Sequence, residues 1–128
     1  MKLLLDTHLL LWAAGAPERL SETARELILD SGNTLYFSSA SIWEIVIKKG
    51  LGRDDFRVDP VRLRKLLVVN GYEELAIESD HALAVDSLPP LHKDPFDRIL
   101  LAQARVERVL LMTVDSQILN YGDGVVAV

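Results

Sequence analysis

The chain contains no cysteine, which removes disulfides, thiolate catalysis and thiolate zinc sites together. Any metal must therefore be held by oxygen or imidazole. There is no low-complexity tract and no internal repeat, so solenoids and disordered tails are excluded. No stretch approaches the ~20 apolar residues of a membrane span. The opening MKLLLDTHLLLWAAGA has the lysine, leucines and small residues of a signal peptide, but Asp6 and His8 break its apolar run in the first half. A cytoplasmic protein with no membrane partner is expected. Positive charge is also in short supply: 14 basic against 19 acidic residues leave a net charge of −5, which argues against coating nucleic acid by bulk electrostatics.

What is present suits a single globular domain over residues 1–128, with 49% apolar and 26% charged residues. Half of the basic residues crowd one stretch: Lys48, Lys49, Arg53, Arg57, Arg62, Arg64 and Lys65, against Asp54, Asp55 and Asp59. Such a run is usually a solvated face; a track for phosphates is the sharper alternative.

Apolar runs alternate with helical patterns along the chain. Strands are expected at Lys2–Leu5, Leu35–Ser38, Leu75–Ile77, Val109–Val114 and, at an edge, Val125–Val128. Helices are expected over 8–14, 21–30, 40–49 behind Ser39, 61–69 behind Asp59 and Pro60, and up to Ser87 behind Ser79. Another starts in HKDPFDRILLAQA, where Asp94 caps and Pro95 takes the first position. With no Asn-Gly hairpin signals between strands, the pattern predicts a three-layer α/β domain around a mainly parallel sheet of four to five strands. Ligands of such sheets bind beyond the carboxyl ends of the strands.

Four carboxylates fall where that rule directs attention. Asp6 ends the first strand and Asp115 follows the 109–114 strand, though either could be a turn residue or helix cap. Glu44 sits among Ile42, Trp43, Ile45, Val46 and Ile47, where it either pairs with Lys48 four residues on or points toward the strand ends. Asp97 lies in the first turn of its helix. Because Asp94 already serves the exposed N–H groups there, Asp97 is free to face elsewhere. Four converging carboxylates would repel one another unless a cation filled the middle, and a hard ion such as Mg²⁺ or Mn²⁺ suits an oxygen-rich set. The chemistry implied is metal-assisted phosphodiester hydrolysis.

These segments, LLLDTH, SSASIWEIVIKKGLGR, HKDPFDRILLAQA and LLMTVDSQI, resemble the PIN-domain ribonucleases over nearly the whole chain, and VapC-type toxins of toxin–antitoxin pairs among them. The resemblance implies that Asp6, Glu44, Asp97 and Asp115 are the catalytic, metal-binding acids of a Mg²⁺- or Mn²⁺-dependent endoribonuclease leaving 5′-phosphate and 3′-hydroxyl ends. It also implies a homodimer and a small antitoxin that covers the site and an adjacent apolar groove. Thr113 matches a position with a hydroxyl beside the acids, or is simply a strand-favouring residue. Arg98 is read as a solvated side chain, with a contact to phosphate or antitoxin as the alternative. His8 is read as a satisfied polar residue rather than a metal ligand or proton shuttle, and most of Trp12, Trp43, Tyr36, Phe37 and Phe96 as core rather than as base-stacking rings.

Other classes fit less well. A phosphoacceptor receiver needs an acidic pair where this chain has Leu5-Asp6, and an Asp-x-Asp phosphatase is excluded by Asp-Thr-His at 6–8. A housekeeping RNA-processing nuclease and a non-catalytic PIN-like binding domain remain as alternatives.

Overall fold

A computed structural model describes residues 1–128. Five strands, β1 (Lys2–Leu5), β2 (Thr34–Ser38), β3 (Glu73–Leu75), β4 (Leu110–Thr113) and β5 (Val125–Ala127), form one sheet in the order β3-β2-β1-β4-β5. Every pairing is parallel, with Leu3 opposite both Leu35 and Leu110. Helices α1 (Thr7–Gly15), α2 (Glu22–Leu29), α3 (Ser39–Gly50), α4 (Pro60–Val69), α5 (Ser79–Val85), α6 (Pro95–Glu107) and α7 (Ser116–Leu119) make the connections. The expected α/β architecture is the observed one.

The sheet is covered on both faces, which explains why its central strands read as unbroken apolar runs rather than alternating ones. Leu3 and Leu5 enter a core with α1, α2, α3 and α4, whereas Leu4 between them enters a second core with Leu100, Leu101 and Ala104 of α6. All three leucines are fully buried. No helix is long and apolar enough to cross a membrane.

Two helix caps differ from expectation by one residue. Ser38, not Ser39, caps α3, its Oγ accepting the Ala40 N–H at 3.0 Å. Ser39 instead accepts the Ile77 N–H at 3.2 Å. Glu78 rather than Ser79 stands at the start of α5, and its N–H donates to His81 Nδ1 at 3.0 Å. The third strand starts at Glu73, before the expected 75–77. Its backbone pairs with Tyr36 and Phe37 at the sheet edge, where two glutamates can stay in water and discourage further pairing. Helix α7 is a single turn that the sequence pattern does not announce, because so short an element carries too little periodicity.

Helix α6 is locked by Gln103, which is fully buried. Its Oε1 accepts the Ser38 hydroxyl at 2.5 Å, and its Nε2 donates to the Leu75 and Ala76 carbonyls at 3.4 Å. Buried amides need such partners. The contacts fix α6 against the ends of β2 and β3, and with it the position of Asp97 in its first turn.

Candidate metal centre

Each acid owes its place to local backbone chemistry. Asp6 caps α1 immediately after β1, Oδ1 accepting the Leu9 N–H at 2.9 Å. Asp115 caps α7 just beyond β4, Oδ1 accepting the Gln117 N–H at 2.8 Å. Asp94 caps α6 by accepting the N–H groups of Phe96 (2.8 Å) and Asp97 (3.3 Å), with Pro95 in the first turn. In Asp6 and Asp115 the cap occupies only one carboxylate oxygen. One oxygen holds the helix while the other faces the carboxyl edge of the sheet.

Asp97 Oδ2 lies 2.7 Å from His92 Nε2, and Asp115 Oδ2 lies 3.5 Å from the same nitrogen. His92, Asp97 and Asp115 thus offer three ligand atoms within 4.8 Å of one another, a group able to hold a metal ion. Asp6 stands one link behind. Its Oδ2 accepts the Thr113 hydroxyl at 2.6 Å, and Thr113 Oγ1 in turn accepts the Asp115 N–H at 3.0 Å. Glu44 flanks the other side, with Oε1 accepting the Thr7 hydroxyl at 2.6 Å and Oε2 ion-paired to Lys48. The four expected acids therefore meet at one edge, but only Asp97 and Asp115 share a direct cluster.

The electrostatics show excess negative charge. Burial raises the Asp97 carboxyl to about 6, the charges of Asp94 and Glu44 push the same way, and the His92 contact opposes them. Asp6 is also raised, by burial, against the bonds from Thr113 and Leu9. Every buried polar side-chain atom has a partner. Oxygen donors, one imidazole and two carboxyls that resist ionisation fit a hard or borderline divalent cation, which would lower the cost of charging them.

A family model described as PIN domain matches residues 3–124. The chain belongs to the PIN domain family. Three solved structures share the PIN fold across nearly their whole length. VapBC2 from Rickettsia felis bound to a promoter DNA fragment has a TM-score of 0.69 at 14% identity, covering 100% of this chain and 98% of that one. VapBC-1 from nontypeable Haemophilus influenzae gives 0.63 at 18%, covering 94% and 92%. A toxin–antitoxin complex from Klebsiella pneumoniae gives 0.60 at 22%, covering 97% and 95%. No curated protein matches the sequence.

His92 is the member of this candidate cluster that the sequence reading did not single out. Its signal was its place: Pro89 and Pro90 lie in the loop between α5 and α6, and His92 stands in that loop five residues before Asp97. Arg98 is half-buried and its guanidinium is engaged within the chain. Its guanidinium donates to the carbonyls of Pro89 (3.1 Å), His92 (3.3 Å) and Val85 (3.2 Å), and so ties the loop to α6. Tyr121 completes the clamp, its hydroxyl donating to Pro89 O at 2.8 Å and accepting the His92 N–H at 3.1 Å.

His8 turns from the acids to Asp55, 3.3 Å away. Trp43, expected with the core, is 60% exposed and rests edge-on against Phe96, their ring centres 5.4 Å apart. Four of the seven basic residues are ion-paired, Arg53 to Asp55 and Arg57 to Asp54 within the stretch, and Lys48 to Glu44 and Arg64 to Glu74 beyond it. That pairing suits a solvated face better than a phosphate track.

Proposed function

We propose that this PIN domain is a divalent-metal-dependent endoribonuclease, the toxin of a toxin–antitoxin pair. The observation that carries the reading is the convergence of His92, Asp97 and Asp115, with Asp6 and Glu44 flanking, beyond the carboxyl ends of β1 and β4. Asp97, Asp115 and the Nε2 of His92 would hold Mg²⁺ or Mn²⁺ directly, with Asp6 and Glu44 joining as ligands or as fixed charge. Bound there, the ion would lower the pKa of water and offset charge on the phosphate. Thr113 orients Asp6 and, through its bond from the Asp115 N–H, fixes the two acids relative to each other. Asp94 keeps the first turn of α6 in place so that Asp97 faces the cluster. Water attacks phosphorus as the P–O3′ bond breaks, leaving a 5′-phosphate and a protonated 3′-oxygen.

The toxin reading draws on the VapBC complexes that share the fold and on an apolar groove of about 640 Å³ between α1, α2 and α4. Leu20, Ile28, Leu35 and Leu67 line it, and Ala14 and Leu66 continue it into a second groove reaching Val58. An antitoxin with an apolar helix or extended segment suits such a channel. The exposed stripe of Trp43, Val46, Ile47 and Leu51 on and just beyond α3 supports a homodimer.

Asp97→Asn should abolish cleavage of single-stranded RNA with Mn²⁺ while leaving the fold intact; equal activity would remove Asp97 from the mechanism. Expression of the wild-type chain should arrest growth unless Asp6 is replaced or an antitoxin is co-expressed. Equal growth of wild type and Asp6→Asn, with both proteins made, would favour a housekeeping RNA-processing nuclease.

A further inference from the structure

Lys48 is the ammonium paired with Glu44, and its surroundings are unusual for a helix-surface lysine. Glu44 lies one turn earlier and is only 3% exposed. The Lys48 side chain is itself only 19% exposed. Its Nζ lies 5.0 Å from the centre of the Phe56 ring and 5.9 Å from that of Phe96. An exposed i,i+4 pair would be weak and easily exchanged. Here the partner carboxylate is out of water and aromatic rings border the ammonium, so the carboxylate is left unsolvated and the ammonium only partly solvated if the pair opens.

The carboxylate that Lys48 neutralises also belongs to the proposed metal centre, so the ammonium and a divalent ion would compete for the same oxygens. We propose that Lys48 is a resident counter-cation: it holds Glu44 while the site is metal-free, leaves Glu44 when a divalent ion binds, and then engages a phosphate oxygen of the RNA. An ammonium parted from its carboxylate in this setting needs a new anion. The substrate phosphate drawn to a bound divalent ion is the one that arrives, and lysine binds phosphate as a point charge without bidentate geometry. No bond is made or broken by Lys48 in this exchange. The inference rests on the metal-dependent reading above.

Its signature is a pair of effects with opposite sign. Lys48→Met leaves Glu44 uncompensated, so calorimetry should show Mn²⁺ binding about tenfold tighter than to wild type. The Tm gain on adding Mn²⁺ should be correspondingly larger. At saturating Mn²⁺, kcat on single-stranded RNA should nevertheless fall about a hundredfold, as when one donor to a developing charge is lost. Lys48→Arg, which keeps the charge, should bind Mn²⁺ nearly as wild type does. A purely structural lysine would move metal affinity and turnover down together, so a folded Lys48→Met with unchanged or weaker Mn²⁺ binding, or with wild-type kcat, overturns the proposal. Should Lys48→Met not fold, side-chain ¹⁵N NMR of the wild-type chain decides. The Lys48 resonance should shift on Mg²⁺ addition and again when a non-hydrolysable RNA analogue is added to the Mg²⁺-loaded wild-type chain; a resonance indifferent to both overturns it. Wild type that binds no Mn²⁺ at all would instead overturn the metal-dependent reading, and with it this one.

Discussion

Two histidines present Nε2 to a carboxylate at nearly the same distance, 2.8 Å from His81 to Glu107 and 2.7 Å from His92 to Asp97. His81 is a closed pair. Its Nδ1 accepts the Glu78 N–H, so the ring proton of the neutral form sits on Nε2 and points at Glu107, and the residue is 1% exposed between α5 and α6. His92 sits on a loop and faces a second aspartate, Asp115, from another element. Proximity of histidine to acid is thus no guide to function by itself. The difference lies in burial joined to surplus negative charge: one carboxylate faces His81, whereas Asp97 near His92 resists ionising because burial disfavours its charge and Asp94 and Glu44 add to the effect.

Exchanging the histidines for alanine should separate the two roles most sharply. His92→Ala should weaken Mn²⁺ binding by about 10- to 100-fold. His81→Ala should leave that affinity within about twofold but lower stability by about 2–3 kcal/mol, from the cavity and the stranded Glu78 N–H. Calorimetric titration and urea unfolding of both variants check the pair of outcomes. If His81→Ala weakened metal binding as much as His92→Ala, the contrast would collapse.

The next effect is in pH. Asp97 ionises near 6 in the fold against about 3.9 in an unfolded chain. Its folded pKa is raised, so its contribution favours the fold below about pH 4 and is lost as pH rises through 6. Divalent metal binding needs the ionised form. Mn²⁺ affinity should therefore climb about tenfold per unit as pH approaches 6 from below and level off above, with a proton released on binding at about pH 5. Isothermal titration in buffers of different ionisation enthalpy measures that proton. In the metal-free protein, Asp97→Asn should raise the Tm at neutral pH, since it removes a carboxylate that burial disfavours.

The smallest effect is expected at Asp94, the cap of α6. Asp94→Asn keeps an oxygen able to accept the Phe96 N–H, so stability, read by urea unfolding, should change by only about a few tenths of a kcal/mol. Much of the RNA cleavage should remain, in contrast to Asp97→Asn. Loss of activity equal to that of Asp97→Asn would place Asp94 inside the metal centre rather than beneath it.

The alternation of strands and helices is legible in the sequence because burial on both sheet faces leaves apolar runs, and helix ends leave caps and prolines. Asp6, Asp94 and Asp115 can be placed from sequence for a related reason: each is fixed by N–H groups two or three residues away. Trp43 is different, because its apolar neighbours along the helix say nothing about which face meets the core. The third strand begins two residues before its apolar pattern does because its register belongs to Tyr36 and Phe37 on β2.

By itself, then, the sequence determined the parallel α/β order and brought four acids to the carboxyl edge of the sheet, since strand ends and helix caps depend on short-range hydrogen bonding. Only the tertiary structure decided what each acid faces. His92 reaches Asp97 and Asp115 through a loop pinned by Arg98 and Tyr121, Asp6 withdraws behind Thr113 at the far end of the chain, and Glu44 is held by Lys48 and Thr7. Most of those partners come from elements far apart in sequence, and electrostatic energies depend on distance through space and on burial, neither of which a local pattern records.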